Sequence, residues 1–320
     1  LKALEIKPDS YQTLNNIAGF YLETNNSEKA LLFYEKAIKL FADEPTILEN
    51  ISKTYFSLDK NKLAKKFCKK SLKILNSSSA HKLLSHIYIK EENFVKAWKH
   101  FDGRLSQDNF IYRNDSYKIV KAKLLNKKRI NPKKQLLIIR EQGVGDEILY
   151  GSMYKDLLEN YDNTYIETDE RLINLFANSF GQKHINKFKK FGFYSKNKKR
   201  LESIDQVLYA GSLGYYFRND ISDFKKKEYL KIDEGLIDST KKDLIKFKNK
   251  IKIGVSWKSF NNKYAEQKSL SLENLVNLFS LPEIDFINLQ YGEVLKEINN
   301  FNNKYKFKLI NISNIDLFND

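Results

Sequence analysis

The feature that most constrains this chain is a repeat of about 34 residues in its first third. Small and aromatic residues recur at this interval, and a third copy follows one residue short. The copies read Leu14, Ala18, Tyr21, Ala30, Tyr34 and Ala37, then Leu48, Ser52, Tyr55, Ala64, Cys68 and Ser71, then Ser85, Tyr88, Ala97 and Phe101. A period of this length predicts two helices per repeat, and stacking buries a core that one pair cannot bury alone.

Turn residues stand before each predicted second helix: Asn25-Asn26-Ser27, Asp59-Lys60-Asn61 and Glu91-Glu92-Asn93. The whole pattern resembles the tetratricopeptide repeat. Ala3, Leu4 and Pro8 resemble the tail of an earlier copy. The resemblance implies a helical superhelix over residues 1–126 whose concave face binds an extended peptide or a protein partner.

The repeat also assigns a role to its sulfur and imidazole side chains. Cys68 takes the position of Tyr34 and Phe101, so we expect a buried thiol rather than a nucleophile. A single cysteine excludes a disulfide framework. No metal site is expected at the histidines of the repeats, which lack Cys or acidic partners at ligand spacing: His81, His86 and His100.

The net charge of +16 raises the question of nucleic-acid binding. Seven of the 56 basic residues are arginine, whereas nucleic-acid readers prefer arginine, so we expect no nucleic-acid partner. The lysines of residues 60–73 recur at helical spacing. This favours a solvated helix face, and binding to phosphate or to an anionic membrane surface is the alternative.

No apolar run approaches the roughly 18 residues that span a bilayer. No charged-then-apolar leader opens the chain, so we expect a cytoplasmic protein, with peripheral association at the inner membrane as a further option. The chain begins at Leu1 and its one methionine is Met153, from which we expect a processed chain or a piece of a longer one.

After residue 126 the pattern changes from a helical period to short apolar runs. A polar linker over 127–134 precedes a predicted buried parallel strand over 135–140. A glycine loop, 141–146, and a predicted helix from Ile148 to Leu158 follow. Further strands are predicted over 163–168, 204–209, 251–257, 284–289 and 307–312, and helices over 171–179, 241–250, 270–281 and 293–303. This order predicts an α/β fold whose ligands sit at the carboxyl ends of the strands.

The glycine loop does not match the common nucleotide signatures. The dinucleotide fingerprint needs a third glycine where Ile148 stands, and no Gly-Lys-Ser/Thr follows as in a P-loop. A nicotinamide oxidoreductase is therefore disfavoured. Asp146 has two compatible interpretations, the N-cap of the following helix and a general base at the end of a strand.

Five segments, in order, resemble bacterial tetratricopeptide proteins that carry a glycosyltransferase domain of family nine, relatives of the heptosyltransferases. They are residues 97–105, 141–146, 253–258, 268–272 and 288–290. Gly103 departs from the family, which has an aromatic there. The resemblance implies the GT-B architecture, with an acceptor-side Rossmann-like domain over 133–235 and the first half of a nucleotide-sugar domain over 250–320. It implies no metal and no cofactor besides the nucleotide-sugar substrate.

The resemblance also implies residue roles. Asp146 matches the family's proposed base, and Lys268 matches a lysine that contacts donor phosphate, with Lys258 a weaker match. An ordinary surface lysine is the alternative for Lys268, and Trp257 either packs in the core or lines the cleft. Donor or acceptor contacts are further expected from Gln142, Gly143, Gly145 and Gln290.

The family's later donor segment is absent, so we expect this chain alone to be inactive and a longer parent to transfer the sugar from a nucleotide-sugar to a glycan or protein acceptor. The competing hypothesis is a non-catalytic protein-binding scaffold that uses the repeats. The sequence leaves the sugar, the acceptor and the partner open.

Overall fold

A computed structural model describes residues 10–106, 115–225, 227–245, 250–259, 268–307, 309–312 and 317. The chain divides into two compact units, Leu1–Ile173 with Gln182–Tyr229, and Asn174–Gly181 with Leu230–Asp320. The repeats and the first α/β sheet fall in one unit. The domain boundaries at 126, 133, 235 and 250 stay a prediction.

Three helical hairpins form the repeat array. Their helices are α1 Tyr11–Glu23, α2 Ser27–Leu40, α3 Pro45–Ser57, α4 Asn61–Ile74, α5 Ser78–Lys90 and α6 Phe94–Phe101, followed by a 3-10 turn at Asp102–Ser106. The first helices of successive hairpins, α1, α3 and α5, contact one another as well as their own partners. The predicted tail at Ala3, Leu4 and Pro8 lies outside the described residues.

Small side chains hold the helices together at the predicted repeat positions. Ala18, Ala30 and Ala64 are fully buried. The Ser52 hydroxyl donates to the Ala64 carbonyl (2.7 Å), which bonds α3 to α4 within one hairpin. The Cys68 thiol donates to the Ala80 carbonyl (3.1 Å) and so bonds one hairpin to the next. The prediction of a packed core thiol is confirmed, and burial raises the pKa of Cys68 to about 11.

Each hairpin turns through a residue with left-handed backbone at the same repeat position. Asn25, Asp59 and Glu92 have φ of 58°, 59° and 54°. Asn tolerates this conformation well, whereas Glu is rarely found in it. Asn26 and Asn93 then cap α2 and α6 with their side-chain oxygens. The turn geometry therefore repeats although its residues differ.

Residues 136–209 form a parallel four-stranded sheet in the order β3-β2-β1-β4. Its strands are β1 Leu136–Ile139, β2 Thr164–Thr168, β3 Phe188–Lys190 and β4 Gln206–Tyr209. Every residue of β1 is buried, as the continuous apolar run predicts. The helices of this part of the chain are α7 Asp115–Lys123, α8 Val144–Gly151, α9 Tyr154–Asn160, α10 Leu172–Phe180, α11 Lys198–Glu202 and α12 Gly214–Phe217. Most of α10 belongs to the second unit.

The prediction of a single helix after the glycine loop is wrong, because the helix is interrupted between α8 and α9. The Ser152 and Met153 amides donate to Leu149 and Tyr150 in tighter i to i+3 bonds (3.4 and 3.0 Å). The Arg218 guanidinium donates to the Ser152 carbonyl at this break (2.9 Å). The apolar spacing continues across the break, so the sequence pattern alone does not reveal it.

The second unit holds a parallel three-stranded sheet in the order β5-β6-β7. Its strands are β5 Ile251–Val255, β6 Ile284–Asn288 and β7 Leu309–Ile310, and its helices are α13 Glu234–Leu244, α14 Val276–Phe279 and α15 Leu295–Tyr305. Residues 246–249 of the basic helix predicted over 241–250 lie outside the described residues.

The long helix expected over 270–281 is wrong, since a 3-10 turn at Leu272–Leu275 precedes the short α14. The Leu270 amide donates to the Trp257 carbonyl (2.8 Å), which keeps the start of this segment extended beside the end of β5. Within the part of the chain that the structure describes, no helix has both the length and the apolarity to cross a bilayer.

Candidate functional site

The glycine loop follows β1, which lies between β2 and β4. The order 3-2-1-4 is the beginning of the 3-2-1-4-5-6 order of doubly wound sheets. In such sheets, ligands bind beside strand 1, at the point where the strand order reverses. The loop expected to carry the site therefore stands at that point of the sheet. The full GT-B architecture stays a prediction.

Glu141, the first residue of the predicted loop segment, binds the repeats to the sheet. Its carboxylate is 2% exposed and accepts two hydrogen bonds from the Arg104 guanidinium, each 2.8 Å long. The Gly211 amide after β4 donates to the same carboxylate (2.6 Å). Arg104 also contacts Asp102 (2.8 Å) and the Ser212 hydroxyl (3.0 Å). A bidentate pair of this kind fixes both position and orientation.

A tryptophan forms a second connection between the repeats and the sheet. We call this contact region the junction; its residues are Trp98, Asp102 and Arg104 on the repeat side and Glu141, Gly211, Ser212 and Gly214 on the sheet side. The Trp98 indole N–H donates to the Arg218 carbonyl (2.5 Å). A Cβ at Gly214 would lie 2.6 Å from the Trp98 ring, so glycine is needed for the ring to pack there. Sequence reasoning noted residues 97–105 as a resemblance and missed their contacts with the sheet.

The buried acid of α8 is Glu147, a residue that the sequence analysis did not single out. Its carboxylate accepts from the Thr168 hydroxyl (2.7 Å) and the Asp169 amide (2.9 Å) at the end of β2. Its other oxygen lies 2.6 Å from an Arg140 nitrogen, off hydrogen-bond geometry. Burial raises the pKa of Glu147. Hydrogen bonds from Arg171 lower the pKa of Asp169 to about 2. These groups join the ends of β1 and β2.

Asp146 lies at the third position of α8, and the interpretation of it as N-cap is wrong, because Gly143 occupies that position. The Asp146 carboxylate reaches back and accepts from the Gly143 amide (3.2 Å), which still satisfies a free donor of the helix end. Gln142 before it has a left-handed φ of 63°. A Cβ at Gly145 would meet nothing within 4 Å. The fold therefore has no packing need for glycine at 145.

In the second unit, Gln290 joins the two predicted residues that follow β5. Its side chain is 1% exposed, and its oxygen accepts from the Trp257 amide (3.0 Å) and the Lys258 amide (2.8 Å). The Trp257 indole donates to Glu297 (3.1 Å), and the Lys258 ammonium pairs with the same carboxylate. Trp257 is 3% exposed and packs in the core. Gln290 thus shapes the loop from within.

Glu297 also lines an open cleft of about 440 Å³ between α15 and the turn at Leu272–Leu275. Lys268 is exposed, and the Ser259 amide next to Lys258 donates to the hydroxyl of its neighbour Ser269 (3.0 Å). The structure therefore groups the predicted donor-side residues around one loop. Gln142, Gly143, Gly145 and Asp146 belong to the first unit, and the others to the second.

Polar side chains connect the first helices of the first two repeats, α1 and α3. The Asn50 amide of α3 donates to the Asn15 oxygen of α1 (2.9 Å), and the Lys53 ammonium donates to the Asn50 oxygen (3.4 Å). Lys82 and His86 are exposed on α5. We call Asn15, Asn50, Lys53, Lys82 and His86 the first-helix face. Sequence reasoning expected binding on the concave face of the array and named none of these residues.

A family model of the tetratricopeptide repeat matches residues 11–44 and 45–74. These residues are tetratricopeptide repeats. The third hairpin, α5 and α6, continues the same helical pattern in the structure. Tetratricopeptide repeats point to a role in protein–protein interaction, because their stacked helices form an extended binding surface.

Over 176 residues, the chain is 26% identical to Protein FlbA of Caulobacter vibrioides, a match that covers 52% of this chain and 30% of that protein. The chain thus spans less than a third of that relative's length. Similar solved structures include YrrB, a TPR protein with an unusual peptide-binding site, at 22% identity and TM-score 0.32 over 38% of this chain and 60% of that one. Pseudomonas aeruginosa PilF matches at 23% identity and TM-score 0.31 over 37% and 53%.

Proposed function

We propose that this chain is a protein-binding scaffold that holds its partner on the first-helix face. The hydrogen-bonded row of Asn15, Asn50 and Lys53 carries this proposal. An asparagine side chain has two N–H donors and an acceptor oxygen, so each keeps capacity for a partner's backbone beyond the bonds that join them. Side chains that are already ordered lose little entropy when a partner binds.

The bonds to the sheet add to the scaffold role. Arg104 and Trp98 fix the last repeat to the four-stranded sheet region through buried contacts. A partner held by the repeats would therefore take a defined position relative to the glycine loop. A flexible tether would not give that positioning.

Photo-crosslinking at matched positions tests the proposal. A benzophenone amino acid replaces Lys53 or Lys82 on the first helices, and Glu28 or Glu35 on the exposed side of α2 as controls. We expect a discrete crosslinked protein from the first pair of positions and none from the second. Equal crosslinking from both pairs, or none from either, would contradict the proposal.

As a second function, we propose sugar transfer at the glycine loop, with Asp146 as general base. The open space over Gly145 at the carboxyl end of β1 favours it, since a helix glycine without a packing reason leaves room for a ligand to approach the backbone. The Asp146 carboxylate would take the proton of an acceptor hydroxyl as the new glycosidic bond forms and the nucleoside diphosphate leaves. For the second unit taken by itself, we propose that the loop at Trp257 and Lys258 contacts the nucleotide-sugar.

Because this chain alone is expected to be inactive, the test of this second function measures release of nucleoside diphosphate from a panel of nucleotide-sugars by a longer protein that contains this chain. Asp146→Asn should lower turnover by at least about 100-fold, because general-base catalysis contributes at least that factor. Asp162→Asn is the matched control, since Asp162 is exposed outside the loop. Unchanged turnover in Asp146→Asn would exclude the base role.

A further inference from the structure

Two second helices of the repeats carry eight lysines and no carboxylate. We call their exposed side the lysine face: Lys62, Lys65, Lys66, Lys69, Lys70 and Lys73 on α4, with Lys96 and Lys99 on α6. We propose that the lysine face docks onto the surface of a membrane that contains anionic phospholipid. It is separate from the first-helix face, so the two proposals stand or fall independently.

The neighbouring hairpin shows that the lysine bias of the chain does not explain this face. On α2, the exposed pairs Glu28-Lys29 and Glu35-Lys36 alternate in sign, as in an ordinary solvated helix. On the lysine face, Lys65 pairs with Glu91 (2.5 Å) and Lys70 with Asp43 (3.1 Å) from outside the two helices. The other six lysines form no ion pair with a carboxylate of the described residues.

Lysines of both helices converge on one ring. The Lys65, Lys69 and Lys96 ammonium groups lie 5.3, 6.0 and 5.9 Å from the centre of the Tyr88 ring. The His100 imidazole stacks on the same ring with centroids 5.9 Å apart. Positive charge from both helices is therefore gathered around Tyr88 of α5.

The titration of His100 agrees with this concentration of charge. Its pKa is lowered to about 4 by burial, and further by His81, Lys127, Lys69 and Lys99. None of the groups that shift this pKa is a carboxylate. The imidazole is thus neutral at pH 7 and adds no charge of its own.

The lysine face destabilises the helix that carries it. Lys62 and Lys66, Lys65 and Lys69, Lys66 and Lys70, and Lys69 and Lys73 are like-charged pairs four residues apart, and such pairs repel on a helix. An anionic surface would neutralise this repulsion. Binding and helix stability would then be coupled.

The chemistry of the face favours lipid over nucleic acid. Lysine is a compact, strongly hydrated charge, whereas nucleic-acid readers use arginine forks and exposed aromatic rings. Tyr88 is only 5% exposed and is closed to base stacking. Leu63, Ile74 and Val95 on the same helices are 39%, 46% and 48% exposed. Lysines with flanking aliphatic side chains suit the headgroup region of an anionic bilayer.

Vesicle co-sedimentation of the full chain tests the proposal. Vesicles of phosphatidylcholine alone are compared with an equal mixture of phosphatidylcholine and phosphatidylglycerol at physiological salt. The variant Lys62→Glu/Lys66→Glu/Lys73→Glu should bind the mixed vesicles about 100-fold more weakly, since each lysine near such a surface contributes roughly a fivefold factor. The control Lys134→Glu/Lys198→Glu/Lys199→Glu makes the same charge change on exposed lysines outside the repeats and should bind as the wild type does.

A second comparison separates lipid from other polyanions. Leu63→Ser should weaken vesicle binding several-fold and leave retention of single-stranded DNA unchanged. Circular dichroism should show each variant folded, since all the replaced side chains are exposed. The proposal is overturned if the wild type does not bind the mixed vesicles, or if both triple variants lose binding equally. It is also overturned if single-stranded DNA binds the wild type as tightly as the vesicles do.

Discussion

Replacing Arg104 by methionine leaves the Glu141 carboxylate buried at the junction without a guanidinium opposite it. Glu141 is 2% exposed and Arg104 6% exposed, and the variant loses both 2.8 Å bonds between them. Glu141 keeps the bond from the Gly211 amide. Removing one partner of a buried ion pair costs about 3–5 kcal/mol. We expect the free energy of unfolding of the first unit to fall by that amount.

For a unit of this size, a loss of about 3–5 kcal/mol lowers Tm by roughly 6–20 °C. Urea denaturation, followed by Trp98 fluorescence, measures the loss of free energy of unfolding. Every variant also carries Trp257→Phe, so that the signal comes from the junction. The matched control is Arg129→Met, which removes an exposed arginine. A double variant, Arg104→Met with Glu141→Leu, should lose less than the sum of the two single losses.

A loss below about 1 kcal/mol in Arg104→Met would refute the reasoning, because burying a carboxylate without its guanidinium partner costs more free energy than that. So would equal losses in Arg104→Met and Arg129→Met. Either result would mean that the repeats are not bonded to the sheet through Glu141.

Three further outcomes can be checked. Gly211→Ala should destabilise the chain by about 1–3 kcal/mol in thermal denaturation, because its Cβ would lie 2.7 Å from a Glu141 oxygen, whereas Gly145→Ala, in open space, should stabilise it by up to about 1 kcal/mol. Because the pKa of His100 is lowered from 6.5 to about 4, the unfolded chain binds more protons between these values, so stability should fall as pH drops through this window. The His100→Leu variant should flatten that fall by on the order of 1 kcal/mol in urea midpoints. Cys68, with its pKa at about 11, should not react with a thiol reagent until urea unfolds the repeats, and fast reaction in the native state would contradict its burial.

The repeats could be predicted from sequence because their core is built from neighbours in the chain. Ala30, Ala64 and Ala97 recur at nearly fixed spacing, and each packs against the helix before it. The strand β1 was also readable, since a buried parallel strand is a continuous apolar run. Local order thus determines most of the array and the centre of the sheet.

Features that depend on distant residues could not be read in this way. Arg104 meets Glu141 37 positions later and Ser212 108 positions later. At the break between α8 and α9, the Ser152 carbonyl accepts from Arg218, 66 positions away. Strand β3 has one buried residue, Phe188, and two lysines, so its pattern carries no strand signal.

The candidate site was predicted in part. Gln290, Trp257 and Lys258 lie together, yet the contact that joins them is a buried amide that shapes a loop. Asp146 lies on the expected helix at its third position, where it bonds Gly143. Whether these residues contact substrate stays a prediction, because spacing along the chain identifies a loop but not its occupant.

The measurement that tests the central proposal most directly is the affinity of the partner captured on the first-helix face. Isothermal titration compares the wild type with Asn50→Ala/Lys53→Ala and with the control Glu28→Ala/Glu35→Ala. The first variant should bind at least about tenfold more weakly, as truncating central contact residues does, and the control should bind as the wild type does. Equal affinity of all three proteins, with each shown to be folded, would contradict the assignment of the partner to this face.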